Sequence, residues 1–376
     1  MNQPLSRLTA AALSTAAVLF VALPASAQTA PATVEKVADF PHQVTGVTVS
    51  EDGRIFVNFP RWTEDAPVSV AEVGKDGSIR PYPNGDWNAW RNARKDELSA
   101  GDHFVCVQSV VADGRGSVWA RDAGAPAQSL LVPGAPKLVR IELATNAATK
   151  TLRFDESVAP QGSYLNDVRF SPDGRHAFIT DSGARGALVV VDLDSGKAVR
   201  VLDGDPSTQV KKGLVVEADG QPLRRPDGRG VEFSADGIAL SKNGRHLYWQ
   251  AIKGDTLYRI ETAVLVGALN GSVDVAAKVE TVGRNGVADG LLIGRESGDM
   301  YVTAPQDDAV KIRDLSSGAS GEPRILVKDE RLRWPDTLAE EPDGTVYVTT
   351  SRIQDSAFFK PDAPAALPTQ LWRIVR

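Results

Sequence analysis

Residues 166–179 read NDVRFSPDGRHAFI. An amide and an acid, Asn166 and Asp167, lead into alternating apolar and polar residues. Ser171-Pro172-Asp173-Gly174 then supplies a turn, and the alternation resumes. Alternation on both sides of an Asp-Gly turn is the pattern of a β-hairpin with one face buried. One copy says little about a fold, but the pattern returns five more times. TGVTVSEDGRIFV starts at Thr45, QSVVADGRGSVWA at Gln108, DGIALSKNGRHLYW at Asp236, DGLLIGRESGDMYV at Asp289 and DTLAEEPDGTVYV at Asp336. The turn glycines are Gly53, Gly116, Gly174, Gly244, Gly298 and Gly344. Five stand at the same distance from the leading residue, and Gly298 stands one further on.

A third apolar strand follows each hairpin: PVSVAEV, KLVRIEL, ALVVVDL, TLYRIET, AVKIRDL and QLWRIVR. A fourth follows the first five, as in SIRPYP and KAVRVL, but the chain ends after QLWRIVR. The missing partner is VEKVADF, residues 34–40. Six units of four strands predict an all-β fold, a six-bladed β-propeller, with the N-terminal strand pairing in the C-terminal blade to close the ring. A β-sandwich is the alternative, and six repeats in register argue against it. One helical turn is predicted at 262–269, and GLVVEADGQPL, within 203–235, reads as a small extra hairpin.

The first strand of each propeller blade lines the central channel. The six leading residues, Thr45, Gln108, Asn166, Asp236, Asp289 and Asp336, are therefore expected as a ring at one mouth, with the glycine turns on the opposite face. Three carboxylates and an amide converging there call for a balancing charge. A hard cation, Ca2+ above all, would take Asn166, Asp236 and Asp289 as oxygen ligands. The alternative is that each Asp caps backbone amides where its strand starts. Side chains alternate along a strand, so Asn166 is expected to face the channel and Asp167 to turn away from it. Glycine fills the place of Asp167 at Gly46, Gly237 and Gly290.

Loops on the mouth side carry Arg61 and Trp62, then Trp87, Trp90, Arg91 and Arg94, and finally Arg352, Phe358 and Phe359. They can wall a pocket over the channel. They can equally pack the long loops onto the propeller. Other chemistries lack their signatures. The SPDG turn has no EF-hand ligand set, and the four histidines form no zinc motif. G-x-S-x-G, Walker and dinucleotide-binding patterns are missing. A formal charge of −6 without basic blocks makes the chain a poor candidate for nucleic acid or anionic lipid.

The N-terminus carries Arg7, the apolar run LTAAALSTAAVLFVALP, and Ala25-Ser26-Ala27 as a cleavage site. This is the pattern of a signal peptide over 1–27. The expected mature chain is a single propeller domain, 28–376, secreted or periplasmic, with no membrane span after cleavage. Its one cysteine, Cys106, allows no disulfide within the chain.

Several stretches resemble the yellow/major royal jelly protein family: PRW at 60–62, PYPNGDWN at 81–88, YLNDVRF at 164–170, TDSGARGALVVVDLDSG at 180–196, DGIALS at 236–241, LYRIET at 257–262 and WPDTL at 334–338. No single motif is specific, but their order and spacing over nearly the whole mature chain are. The resemblance implies a secreted six-bladed propeller. Some members bind small aromatic amines at the channel mouth, and some are linked to dopachrome conversion. The sequence is also similar in fold to the SMP-30/gluconolactonase group, which holds a divalent cation with a Glu, two Asn and an Asp. Asn166 and Asp289 match an Asn and the Asp, Asp236 stands for the second Asn, and Thr45 replaces the Glu. That replacement speaks against lactonase activity.

Three functions follow as expectations. The first is a monomer that binds a small aromatic molecule at the channel mouth, with Thr45, Arg61, Trp62, Trp87, Trp90, Gln108, Arg352 and Phe358 as ligand contacts. The second is an enzyme, a lactonase-like hydrolase or a dopachrome-tautomerase-like isomerase, with Asp289 or Asp336 as general base. The third is a protein-interaction platform.

Overall fold

Each repeat folds as one blade. In the computed structural model, residues 31–62, 65–128, 130–271, 273–362 and 366–376 are described, together with Met1. The expected signal peptide, Met1 apart, falls outside them. Strand β1 (Thr33–Phe40) comes first. Blade one is β2 (Val47–Val49), β3 (Ile55–Asn58), β4 (Val70–Val73) and β5 (Ile79–Pro81). Blade two is β6 (Val107–Ala112), β7 (Ser117–Asp122), β8 (Lys137–Glu142) and β9 (Ala147–Arg153). Blade three is β10 (Leu165–Phe170), β11 (His176–Asp181), β12 (Ala187–Asp192) and β13 (Ala198–Val201). The small ribbon β14 (Glu217–Ala218) and β15 (Gln221–Pro222) intervenes, as its sequence suggested. Blade four is β16 (Ala235–Leu240), β17 (His246–Ala251), β18 (Thr256–Glu261) and β19 (Glu280–Arg284), with helix α1 (Thr262–Ala268) after β18. Blade five is β20 (Leu291–Ile293), β21 (Met300–Ala304), β22 (Ala309–Arg313) and β23 (Arg324–Lys328). Blade six is β24 (Pro335–Glu340), β25 (Val346–Thr350) and β26 (Thr369–Val375), completed by β1.

All six sheets are antiparallel, and β1 pairs with β26 from Thr33 opposite Val375 to Phe40 opposite Thr369. The inner strands touch in sequence: β2 meets β6, then β10, β16, β20 and β24, and β24 meets β2 again. The ring is closed without a disulfide. Burial follows position in the blade. Outer strand β9 alternates between exposed and half-buried, whereas β7 and β11 are buried almost throughout because neighbouring blades cover both faces. The aromatics that lead out of each turn, Phe56, Phe178 and Trp249, are among the fully buried side chains.

The inner strands share a second device, which sets the channel mouth. In blades two, three, four and six the register slips at the leading residue. In blade three, Leu165 pairs with Asp181 and Val168 with Ile179, so Asn166 and Asp167 together oppose Thr180. Such a bulge breaks strict alternation and re-aims side chains.

The carbonyl of each leading residue meets the preceding blade. Asn58 Nδ2 donates to the carbonyl of Gln108 at 2.9 Å, Ser109 Oγ to that of Asn166 at 3.1 Å and Thr180 Oγ1 to that of Asp236 at 2.7 Å. Thr349 Oγ1 donates to that of Thr45. At the other two seams glycine does the work. A Cβ on Gly237 would strike the carbonyl oxygen of Asp289, and one on Gly290 that of Asp336. Glycine is required there by close backbone approach. The six leading backbones are thus fixed to their neighbours, which leaves their side chains to the channel.

Candidate functional site

Five of the six leading side chains meet at one pocket. Gln108, Asn166, Asp236, Asp289 and Asp336 form its polar floor, and Trp62, Tyr164, Phe233, Ile252 and Ile353 form its walls, with Gln128 and Ser182 at the side. Thr45 is fully buried beneath. Its hydroxyl donates to the Gln108 carbonyl at 3.1 Å and accepts from Asn58 Nδ2 at 2.8 Å. It holds the ring together without lining the pocket.

The three acids stand in unusual surroundings. Two other acids of the fold, Asp122 and Asp181, are buried as deeply but compensated. Lys137 lies 2.7 Å from Asp122, and Arg200 lies 2.5 Å from Asp181. Backbone N–H groups of Val105, Cys106 and Gly124 also donate to Asp122, and those of Tyr164 and Gly183 to Asp181. Among the described residues no lysine, arginine or histidine pairs with Asp236, Asp289 or Asp336. Their partners are neutral: Asn166 Nδ2 donates to Asp236 at 2.6 Å, Trp334 Nε1 to Asp289 at 2.7 Å and Thr337 Oγ1 to Asp336 at 3.1 Å.

Burial without a counter-charge favours the protonated carboxyl. Burial pushes Asp289 up to about 7, against a pull downward from the Trp334 N–H and a push from Asp167. Asp236 is raised well above the carboxylate range, first by burial and then by the charges of Asp289, Asp336 and Asp167, with Ser182 opposing. Asp336 is raised likewise by burial and by Asp289, with Ser351 and Thr337 opposing.

Asp167 does not turn away from the channel as expected. Its Oδ2 accepts from Arg169 Nη1 at 2.7 Å, and Arg169 Nη2 donates to the Leu291 carbonyl at 3.1 Å. Leu291 belongs to β20, two blades on, so the Asp167–Arg169 pair spans the channel beneath the acids. The bulge is the reason: once Asn166 and Asp167 both oppose Thr180, neither is obliged to face outward.

The loop residues divide. Trp62 covers the floor, donating from Nε1 to Tyr164 Oη, which in turn donates to Gln108 Oε1 at 2.9 Å. Phe358 braces Trp62 from outside, its ring centroid 6.0 Å away. The other candidates are structural by position. Arg61 is fully buried and spends its guanidinium on the carbonyls of Ala66, Phe104, Val105 and Asn88 and on Ser69 Oγ. Trp87 packs on Phe104 at 5.0 Å, and Trp90 is buried with Val105 and Ala135. Arg352 is left-handed in backbone and pairs with Asp355 at 3.4 Å. These side chains pack the mouth-side loops and do not line the pocket.

Tyr164, Ser182, Phe233 and Trp334 were not singled out from the sequence as site residues. Two of them had a signal. Tyr164 stands two residues before a leading residue, and Ser182 ends a second strand, as Ser351 does beside Asp336. Phe233 comes from the long connection before blade four, where no repeat guides the reading.

The cavity over the floor is about 10 Å³. That is room for about one water. A wider groove of about 220 Å³ adjoins it, sharing Gln128, Tyr164, Ser182 and Phe233 and adding Arg225, Arg229 and Glu232.

A calcium ion, the cofactor expected from the sequence, finds a poor fit. Calcium takes six to eight oxygens. Asn166 turns its NH2, not its oxygen, to Asp236, and among the described residues no group of three or more His, Cys, Asp or Glu is set to hold a metal. No helix among them is long and apolar enough to cross a membrane.

A family model described as Major royal jelly protein matches residues 105–363. Comparison with curated proteins gives no match. Among solved structures, a gluconolactonase from Xanthomonas campestris superposes with a TM-score of 0.53 at 12% identity, over 91% of this chain and 89% of that one. A PQQ-bound aldose sugar dehydrogenase from Streptomyces coelicolor gives 0.53 at 13% identity, over 92% and 100%. Regucalcin, a calcium-binding protein from Agrobacterium tumefaciens, gives 0.50 at 14% identity, over 92% and 93%. These likenesses are of fold.

Proposed function

The chain belongs to the major royal jelly protein family, and from that premise we propose that it is a secreted propeller that binds a small aromatic amine at the channel mouth. One observation carries the reading. Three buried carboxylates converge, without a cationic partner among the described residues, beneath walls of Trp62, Tyr164 and Phe233. An ammonium group supplies the missing charge, and an aryl ring attached to it meets aromatic walls. Ammonium groups are also attracted to aromatic faces, by about 0.5–2 kcal/mol.

The site is narrow as it stands, and entry of an aryl amine requires Trp62 and Phe358, or Tyr164 and Phe233, to move aside. Binding is coupled to protons, because the acids hold them in the free protein. Affinity for a cation therefore rises as pH climbs through the value of about 7 at Asp289. Calcium is the competing occupant of the same acids, and the Asn166 NH2, rather than its oxygen, turned toward Asp236 favours the organic cation.

The proton held by Asp289 supports a second reading. A carboxyl poised near neutrality can pass a proton to and from a bound molecule, as an isomerase requires. The two readings part on turnover.

The test is calorimetric titration of 2-phenylethylamine into the wild-type protein and Asp236→Asn at pH 8. One-site binding, weakened at least about tenfold in the variant, is expected from loss of a buried charge partner. Equal affinity in both proteins would remove the acid ring from the site. Chemical change of a bound amine or its quinone, followed by NMR, would move the account to the isomerase.

A further inference from the structure

A wide groove lies at the other end of the propeller, between blades two and three, where the glycine turns are. It measures about 690 Å³. Arg115 from the β6–β7 turn, Arg140 from β8, Lys150 from β9 and Arg175 from the β10–β11 turn all line it. Among the described residues none of the four is in an ion pair with a carboxylate, although this acidic chain pairs many of its other surface cations, such as Arg54 with Glu72 and Arg259 with Glu280. Arg115 Nη1 donates to the Pro172 carbonyl, Arg140 Nε to Ser117 Oγ, and Lys150 Nζ to the carbonyls of Leu193 and Asp194.

Three acids share the groove, and two are already committed. Asp113 accepts from the N–H groups of Arg115 and Ser117 and from Trp119 Nε1. Asp173 accepts from Ser171 Oγ and the Arg175 N–H. Asp194 stands exposed at the edge. Trp119 packs on Phe170 in the floor, the rings tilted by 32° with centroids 5.1 Å apart. Four cations lining a wide polar groove match an extended anion with several oxygens, since guanidinium groups take phosphate or sulfate through paired N–H donors.

We propose that this groove binds a polyanion carrying two or more phosphate or sulfate groups, independently of the channel mouth. The probe is inorganic pyrophosphate, titrated into the full mature protein at low ionic strength, with Arg115→Gln/Arg175→Gln as the variant. Both arginines are exposed turn residues, so the variant should fold. Arg140→Gln, with a melting curve to confirm its fold, provides a second variant. Saturable binding is expected, weakened at least about tenfold in each variant and by added salt. Trp62→Ala should leave it unchanged.

Vesicles of phosphatidylglycerol distinguish the source. Sedimentation with vesicles, reversed by pyrophosphate, identifies a lipid headgroup. Pyrophosphate binding without sedimentation identifies a soluble anion. Both outcomes uphold the chemistry. No saturable pyrophosphate binding, or binding indifferent to both variants, overturns the proposal.

Discussion

Asp289→Asn should make the unliganded protein more stable above neutral pH, and the structure says by how much. The carboxyl rises from an ordinary 3.8 to about 7 on folding, chiefly through burial. A folded-state pKa above the unfolded one means that the folded protein holds a proton the unfolded chain releases. The associated stability is complete below about pH 4 and is lost as pH rises through 7. Three units at about 1.4 kcal/mol each set an upper bound of about 4 kcal/mol. Asparagine resembles the protonated acid, and its carbonyl can still accept from Trp334 Nε1. At about 2.1 cal/mol/K per residue, over roughly 340 residues, the gain in Tm at pH 8.5 is at most about 5 °C, shrinking to nothing at pH 4. Asp236 and Asp336 remain, and Asp167 with Arg169 lies below them, so the variant should still lose some stability with pH, only less. The assay is a series of melts from pH 4 to 8.5. Parallel curves for the two proteins, or a variant less stable at pH 8.5, would refute the idea that Asp289 is buried at a cost.

Three further outcomes are expected. Arg169→Gln leaves Asp167 half-paired inside the channel and should cost about 1–3 kcal/mol, whereas Asp167→Asn/Arg169→Gln should recover part of that loss; urea midpoints showing no recovery would deny the pair its role. Trp62→Ala should raise the association rate of 2-phenylethylamine while weakening its affinity, because one change removes both lid and wall; stopped-flow rates unchanged from wild type would show that Trp62 does not gate entry. Removing residues 31–40 deletes β1 and leaves β26 as a bare edge, so unfolding should broaden and shift to lower temperature; a melt like that of the protein with β1 intact would mean that the ring closes without it.

The fold was legible because a propeller writes its architecture as a repeat. Six turns, six third strands and the unpaired QLWRIVR fixed blade number and closure, and VEKVADF lies where the missing strand is needed. The floor of the site was legible for the same reason, since Gln108, Asn166, Asp236, Asp289 and Asp336 occupy one place in each repeat. What periodicity could not carry was local backbone geometry. The bulge that brings Asp167 toward the channel leaves no mark in an alternating pattern. Gly237 and Gly290 read in sequence only as residues filling the place of Asp167, yet each admits the next blade's carbonyl. The walls were the least legible part. Trp62, Trp87 and Trp90 read alike in sequence, but only Trp62 finds a hydrogen-bond partner over the floor. Phe233 arrives from a connection that belongs to no repeat.

The central claim is that uncompensated acids beneath aromatic walls select a cationic aryl molecule. The most direct test compares 2-phenylethylamine with 2-phenylethanol, its neutral counterpart of the same shape, by calorimetry at pH 8. The amine should bind at one site and at least about tenfold more tightly, as a charge-assisted bond in a buried site requires, and excess calcium should not displace it. Equal affinity for the two, or displacement of the amine by calcium, would contradict the account.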